Sequence, residues 1–152
     1  LDAKYRLIVP KMTFSAGLSG SPLPSYHRIM TASRPALTRL GPVVADSVDP
    51  YLPPPDRLID GHPLQRAWVQ FEDPAKGFYA GVWESDPGTW RIRYTEVEYC
   101  RILSGRSRIT AADGTVTEVG PGDEFVIPSG FEGTWQVLER TRKTFVIHEA
   151  PP

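Results

Sequence analysis

A single cysteine, Cys100, removes internal disulfides from the ways this chain can be held together. It falls in an apolar-rich stretch, where a buried, inert thiol is the expected role, and a reducing cytoplasm fits it. Long hydrophobic runs are also missing. Apolar runs such as "FVI" and "GPVVA" fall far below the ~20 residues of a membrane helix, and "RLIVP" is too short for a signal-peptide core. The expectation is a protein with no membrane partner that stays in the cytoplasm. Charge of one sign is not in excess either: 17 basic and 18 acidic side chains leave −1, so no broad field favours nucleic acid or an anionic surface. Histidine is scarce. His27, His62 and His148 stand far apart, none at ligand spacing to another, and surface or structural roles suit all three. There is no phosphate-cradling Gly-rich loop before a helix, no paired-cysteine motif and no G-x-S-x-G elbow. A nucleophilic Cys100 would need a base in reach, and nothing in the sequence places one there.

Proline is plentiful, and its distribution divides the chain near residue 66. "SGSPLPSY" and "DPYLPPPDRL" concentrate residues that remove backbone donors, so the chain before residue 66 is expected to wander over the surface, with residues 30–66 as an irregular Pro-rich arm that holds a short helical turn within "MTASRPALTRLGPVVADSV". With methionines at Met12 and Met30 and the chain opening on Leu1, residues 1–29 read as an extension, upstream material or the mark of an alternative start. From Ala67 to about residue 150 the pattern shortens to strand length. "AWVQFE", "GFYAGVWE", "TWRIRYTEVEYCRIL", "EFVI", "GTWQVLE" and "KTFVIHE" are rich in aromatic and β-branched residues, and the breaks between strands carry "DPG", "ADG", "GPGD" and "PSG". Asp113-Gly114 marks the clearest hairpin. Many short strands with regular turns predict an all-β antiparallel sandwich or barrel.

Within this region Gly122, Pro128 and Gly130 in "GDEFVIPSG" resemble the second motif of the cupin superfamily, and Glu98 and Gly105 in "EYCRILSG" resemble the end of the first. The two half-motifs come in the right order, and the likeness covers about residues 67–148. It is greatest to the small single-domain cupins grouped with ethanolamine-utilisation and ureidoglycine aminohydrolase-like proteins. The resemblance implies a double-stranded β-helix, or jelly-roll, barrel that commonly associates through its outer sheet faces. A homodimer is therefore expected, with the arm free to add to a neighbour's sheet edge.

Metal-dependent cupins take two histidines and a glutamate from the first motif and a third histidine from the second. Here only the glutamate remains. Counting from Gly88 puts Tyr94 and Glu96 in the two histidine slots; counting back from Glu98 gives Tyr94 with Ile92, or Arg93 with Arg91. Gly133 occupies the third slot, and its missing side chain is expected to leave room. No metal and no cofactor is therefore expected, with a carboxylate-only site for a hard cation, built from Glu96, Glu98 and Glu139, as the lesser alternative.

Strand alternation puts Tyr94, Glu96, Glu98 and Cys100 on one face, and the resemblance turns that face inward. Two carboxylates two residues apart repel, which tends to keep a proton on one of them, so Tyr94, Glu96 and Glu98 are the candidate catalytic groups. Trp83, Trp135, Lys143 and Glu139 are the candidate ligand-binding groups: the indoles as walls, Lys143 as partner to an inward carboxylate or an anion. The reading is a small-molecule ligand inside the barrel and metal-independent acid–base chemistry on a small polar metabolite. The alternative is a non-catalytic ligand-binding or structural cupin, in which a buried cation such as Arg101, Arg142 or Lys143 neutralises Glu98.

Overall fold

Eight strands carry nearly all the regular structure in a computed structural model that describes residues 35–150. They are β1 (Leu58–Gly61), β2 (Gln65–Asp73), β3 (Phe78–Ser85), β4 (Gly88–Arg93), β5 (Val97–Ala111), β6 (Val116–Val119), β7 (Glu124–Ile127) and β8 (Glu132–His148). Among the described residues helix is confined to two 3-10 turns, Ala45–Ser47 and Pro74–Lys76, the first within the segment expected to hold a helical turn.

Every strand pairing is antiparallel, and two long strands close the fold into a jelly-roll barrel. Residues 141–148 of β8 pair with β3 in one layer, and residues 132–137 pair with β4 in the other. β5 follows β8 through both layers, meeting β7 in the first and β6 in the second. The layers are thus β2-β3-β8-β5-β7 and β1-β4-β8-β5-β6. Passing between them requires a change of inward parity in β5. Glu98, Cys100 and Ile102 are buried before the corner, Ser107 and Ile109 after it, and the register slips between. Gly105 sits in that slip at φ 81, where a Cβ would overlap the carbonyl of Arg140, so the closing glycine of the first half-motif is a bulge requirement.

The hairpin expected at Asp113-Gly114 joins β5 to β6. The Asp113 carboxylate accepts from the Thr115 N–H at 2.9 Å, and the Gly114 N–H donates to Ala111 O at 2.9 Å. The sheet begins earlier than Ala67. β1 and the start of β2 fall inside the segment expected as arm, because a four-residue edge strand between proline clusters is too short to show in composition. Part of the described arm lies along β2: the Trp68 indole donates to Val44 O at 3.0 Å, the Gln70 amide to Gly41 O at 2.6 Å, and Tyr51 bridges to Gln65. The expected extension, residues 1–29, lies outside the described residues.

Candidate functional site

Inward alternation is unbroken from Trp90 to Ile102, so the run Ile92, Tyr94, Glu96, Glu98, Cys100 faces the barrel interior while Arg91, Arg93 and Thr95 face out. β8, the neighbouring strand of both β4 and β5, adds Trp135, Val137, Thr141, Lys143, Phe145 and Ile147, all buried. The result is a charged centre inside an aromatic shell. Lys143 Nζ lies 2.7 Å from Glu98 Oε1 and 3.1 Å from Cys100 Sγ, and it sits 4.8 Å from the Trp135 ring centroid and 5.3 Å from that of Trp83. The side chains of this pair are 2% and 0% exposed. Burial alone would push the Lys143 ammonium towards its neutral form; the Cys100 sulfur and the Glu98 carboxylate outweigh it and hold the pKa above the ordinary lysine value. The Tyr94 hydroxyl, bonded to Glu98, is raised well above the tyrosine range, first by burial and then by the Glu98 charge. At neutral pH the cluster is an ammonium, a neutral phenol and the groups that bind them.

Glu96, in the bend between β4 and β5, is equally deep, 1% exposed, but turns back to its neighbour: Oε2 accepts from the Thr95 N–H and hydroxyl, both at 3.0 Å, while Oε1 has no hydrogen bond among the described residues. Trp83 and Trp135 meet edge to face at 5.7 Å, and Trp83 also contacts Trp90 at 6.1 Å. At 3% and 2% exposure these indoles fill the core. Glu139 belongs elsewhere. It shares parity with Trp135, but β8 turns its corner at residues 138–140, and the carboxylate points into solvent, 3.3 Å from Arg106 Nε. The neutralising cation named for Glu98 is Lys143 alone of the three candidates; Arg142 pairs with Glu84 at 2.6 Å and Arg101 with Glu124 at 3.6 Å, both on the outside.

The open space lies at the barrel mouth, between the edges of β6 and β7. A pocket of about 200 Å³ is walled by Ile109, Thr117, Phe125, Ile127 and Phe131. Phe125 links it to the interior, its ring 6.2 Å from that of Trp135. One wall is the Pro128–Phe131 corner, tied to the strand run opposite: the Tyr94 N–H donates to Phe131 O at 2.9 Å, the Gly130 N–H to Tyr94 O at 2.7 Å, and the Ser129 hydroxyl to Thr95 O at 2.7 Å. On β5 and β7 Glu98 pairs with Ile127, so the two half-motifs meet physically.

The model of the EutQ-like cupin domain matches residues 72–145. A protein of unknown function in family DUF861 from Pseudomonas syringae pv. tomato superposes with a TM-score of 0.60 at 26% identity, covering 66% of this chain and 43% of its own. The EutQ protein of Clostridium difficile gives 0.52 at 19% identity, covering 58% and 64%. A putative ethanolamine utilization protein Q from Salmonella typhimurium gives 0.51 at 19%, covering 60% and 72%. The chain belongs to the cupin superfamily. It spans less than half the length of the Pseudomonas protein and under two thirds of the clostridial one. No curated protein matches it.

For a cupin, the donor set at the usual metal position is poor. Of the alternative slots only Tyr94 with Ile92, or Tyr94 with Glu96, face inward; Arg91 and Arg93 do not. Ile92 and Gly133 offer no donor atom, and Glu98 Oε1 already accepts from the Lys143 ammonium, whose charge stands where a metal's would. Gly133 leaves no room either. A Cβ there would overlap the carbonyl of Thr110 on β5, so close backbone approach demands the glycine, and a histidine side chain would force the strands apart. The described His62 and His148 are exposed, and no three His, Cys, Asp or Glu among the described residues group as a metal would require. The residues present do not fit a cupin metal; an internal ammonium occupies the carboxylate instead.

The mouth residues are the ones sequence reasoning missed. Their signal was present in "EFVI", where period 2 puts Phe125 and Ile127 on one face of the second half-motif, but the opposite wall comes from β5 and β6 and depends on the closed barrel.

Proposed function

We propose that this cupin is a ligand-binding module that takes a compact, largely apolar molecule at the barrel mouth and leaves the interior charge cluster as scaffold. The observation that carries the reading is the contrast between an open pocket of about 200 Å³ lined by Ile109, Ile127 and two phenylalanines and a Glu98–Lys143 pair with almost no exposure. The volume is of the order of the ~150 Å³ apolar cavity that admits benzene, so a single ring is the natural occupant. Thr117 at the rim supplies a hydroxyl for one polar substituent. Titration of phenol and indole, followed by amide shifts, tests it: saturable shifts at residues 109, 125 and 131 are expected, lost when Ile109→Trp fills the pocket. Shifts that survive Ile109→Trp, or none with either probe, would overturn the reading.

Metal-independent acid–base chemistry is the second reading, and the buried Glu96 Oε1 is the observation that favours it, since an unpaired carboxylate oxygen beside a retained phenol proton is an acceptor next to a donor. It requires a substrate to displace Phe125, so Phe125→Ala would raise and Glu96→Gln abolish any turnover. Two further features enter the proposal. Tyr99, Val126 and Val146 lie in register across three strands on the outer face, with Tyr99 and Val126 exposed, which supports a homodimer through that face. The buried Cys100 thiol beside an ammonium, in no disulfide, suits a reducing cytoplasm.

A further inference from the structure

The outer face of the other layer carries a second concavity, and we infer that it binds a phosphomonoester on a small hydroxylated body. Arg91, Thr134 and Thr110 lie in direct register across β4, β8 and β5. Each alternates with a core residue, Trp90 or Ile92, Trp135 and Ile109, so all three point outward. Around them is an open groove of about 520 Å³, whose lining includes Gly133, Ala111 and Ala112. That size lies within the ~300–1,000 Å³ common for small-molecule sites.

Charge selects the ligand. Arg57 enters from the turn before β1, anchored by the Arg91 N–H donating to its carbonyl at 2.9 Å, and Arg93 stands on the next outward position of β4. Arg93 is paired with Glu132 at 3.1 Å, both well exposed, whereas Arg91 has no ion-pair partner among the described residues. A chain of net charge −1 thus gathers three guanidiniums around a floor of two threonine hydroxyls. Guanidinium forks match the planar oxygen pairs of a phosphate and engage it bidentately, and the hydroxyls can donate to the remaining oxygens. Asp56 and Glu132 also line the groove. They would repel a bare polyanion but accept from sugar or polyol hydroxyls, which sets the preference for one phosphate on a hydroxylated carrier. The groove shares only Ala111 with the mouth pocket, so either site can fail without the other.

Ribose 5-phosphate is the test probe, titrated into the full chain at constant ionic strength and followed by amide shifts and calorimetry. Saturable binding is expected at residues 91, 110 and 134, weakened about tenfold or more by Arg91→Ala and by less in Thr134→Val, with ribose alone silent. Arg101→Ala, which removes an exposed arginine from the opposite layer, should leave binding unchanged. Both arginine variants alter exposed side chains, and unchanged thermal unfolding verifies that they fold. No saturable binding by wild type, or equal weakening by Arg101→Ala and Arg91→Ala, would overturn the inference.

Discussion

Glu98 and Glu139 are two carboxylates that share an expected address inside the barrel and have opposite surroundings. Glu98 is fully buried and meets a lysine that is itself out of solvent; Glu139 stands 64% exposed beside an arginine in water. Both form ion pairs near 3 Å, so geometry alone does not separate them. Solvent does. In water an ion pair gains little over its hydrated halves, whereas a buried charge that loses its partner keeps its whole desolvation penalty. The interior pair therefore cannot be half removed, whereas the outer pair is dispensable.

Removing the Glu98 charge is the hardest test of that difference. A sequence reading with two unpaired carboxylates expects Glu98→Gln to stabilise the protein by relieving a strained acid. The ion pair reverses the sign. Glu98→Gln leaves the Lys143 ammonium buried without a counter-charge and should cost about 3 kcal/mol in chemical denaturation at pH 7, even with help from the two indole faces. Unchanged or increased stability would mean that Lys143 is neutral or finds another anion.

Replacing both partners sharpens the point. If the loss comes from a stranded charge and not from the absence of a favourable pair, then Glu98→Leu with Lys143→Met should restore most of what either single change loses, because two apolar side chains of similar volume need no solvation. Additive losses in the double-mutant cycle would show instead that the pair itself is strongly favourable.

How far this was legible depends on the range of the interaction. Strand alternation and turn chemistry are local, so the all-β barrel, the Asp113-Gly114 hairpin and the inward run Tyr94, Glu96, Glu98, Cys100 could be read from neighbouring residues. The pairing of Glu98 with Lys143 spans 45 positions. Alternation gives both an inward direction but does not say that they meet. Glu139 shows the opposite failure: its parity was right, and the corner in β8 that turns it outward has no glycine or proline of its own to announce it. Gly133 reads as an emptied ligand slot when only a motif is consulted, and as a contact between two backbones once β5 lies beside it.

A smaller effect is expected at alkaline pH. Lys143 and Tyr94 both have folded pKa values raised above their ordinary ones, so the folded state holds their protons more tightly than the unfolded chain does. Stability from these groups is therefore complete below the ordinary lysine and tyrosine ranges and is lost as pH climbs through the folded values. Wild-type stability should fall along that limb, and Glu98→Leu with Lys143→Met should fall less steeply, leaving the Tyr94 contribution. Parallel curves for the two proteins would remove Lys143 from the account.

The smallest expected change is at the outer carboxylate. Glu139→Gln removes one charge from an exposed contact of 3.3 Å with Arg106, and both side chains remain hydrated with or without the pair. Stability should shift by under about 0.5 kcal/mol, and the shift should shrink further at high salt because the lost interaction is screened. Ring-compound binding at the mouth should be untouched, since Glu139 lies at the β8 corner and not among the pocket walls. A loss approaching that of Glu98→Gln would put Glu139 in a dry environment in solution, as burial against a second copy of the chain would do. Repeating the measurement across protein concentration separates the cases: a monomer-level effect is constant, whereas an interface effect fades as the partner dilutes away.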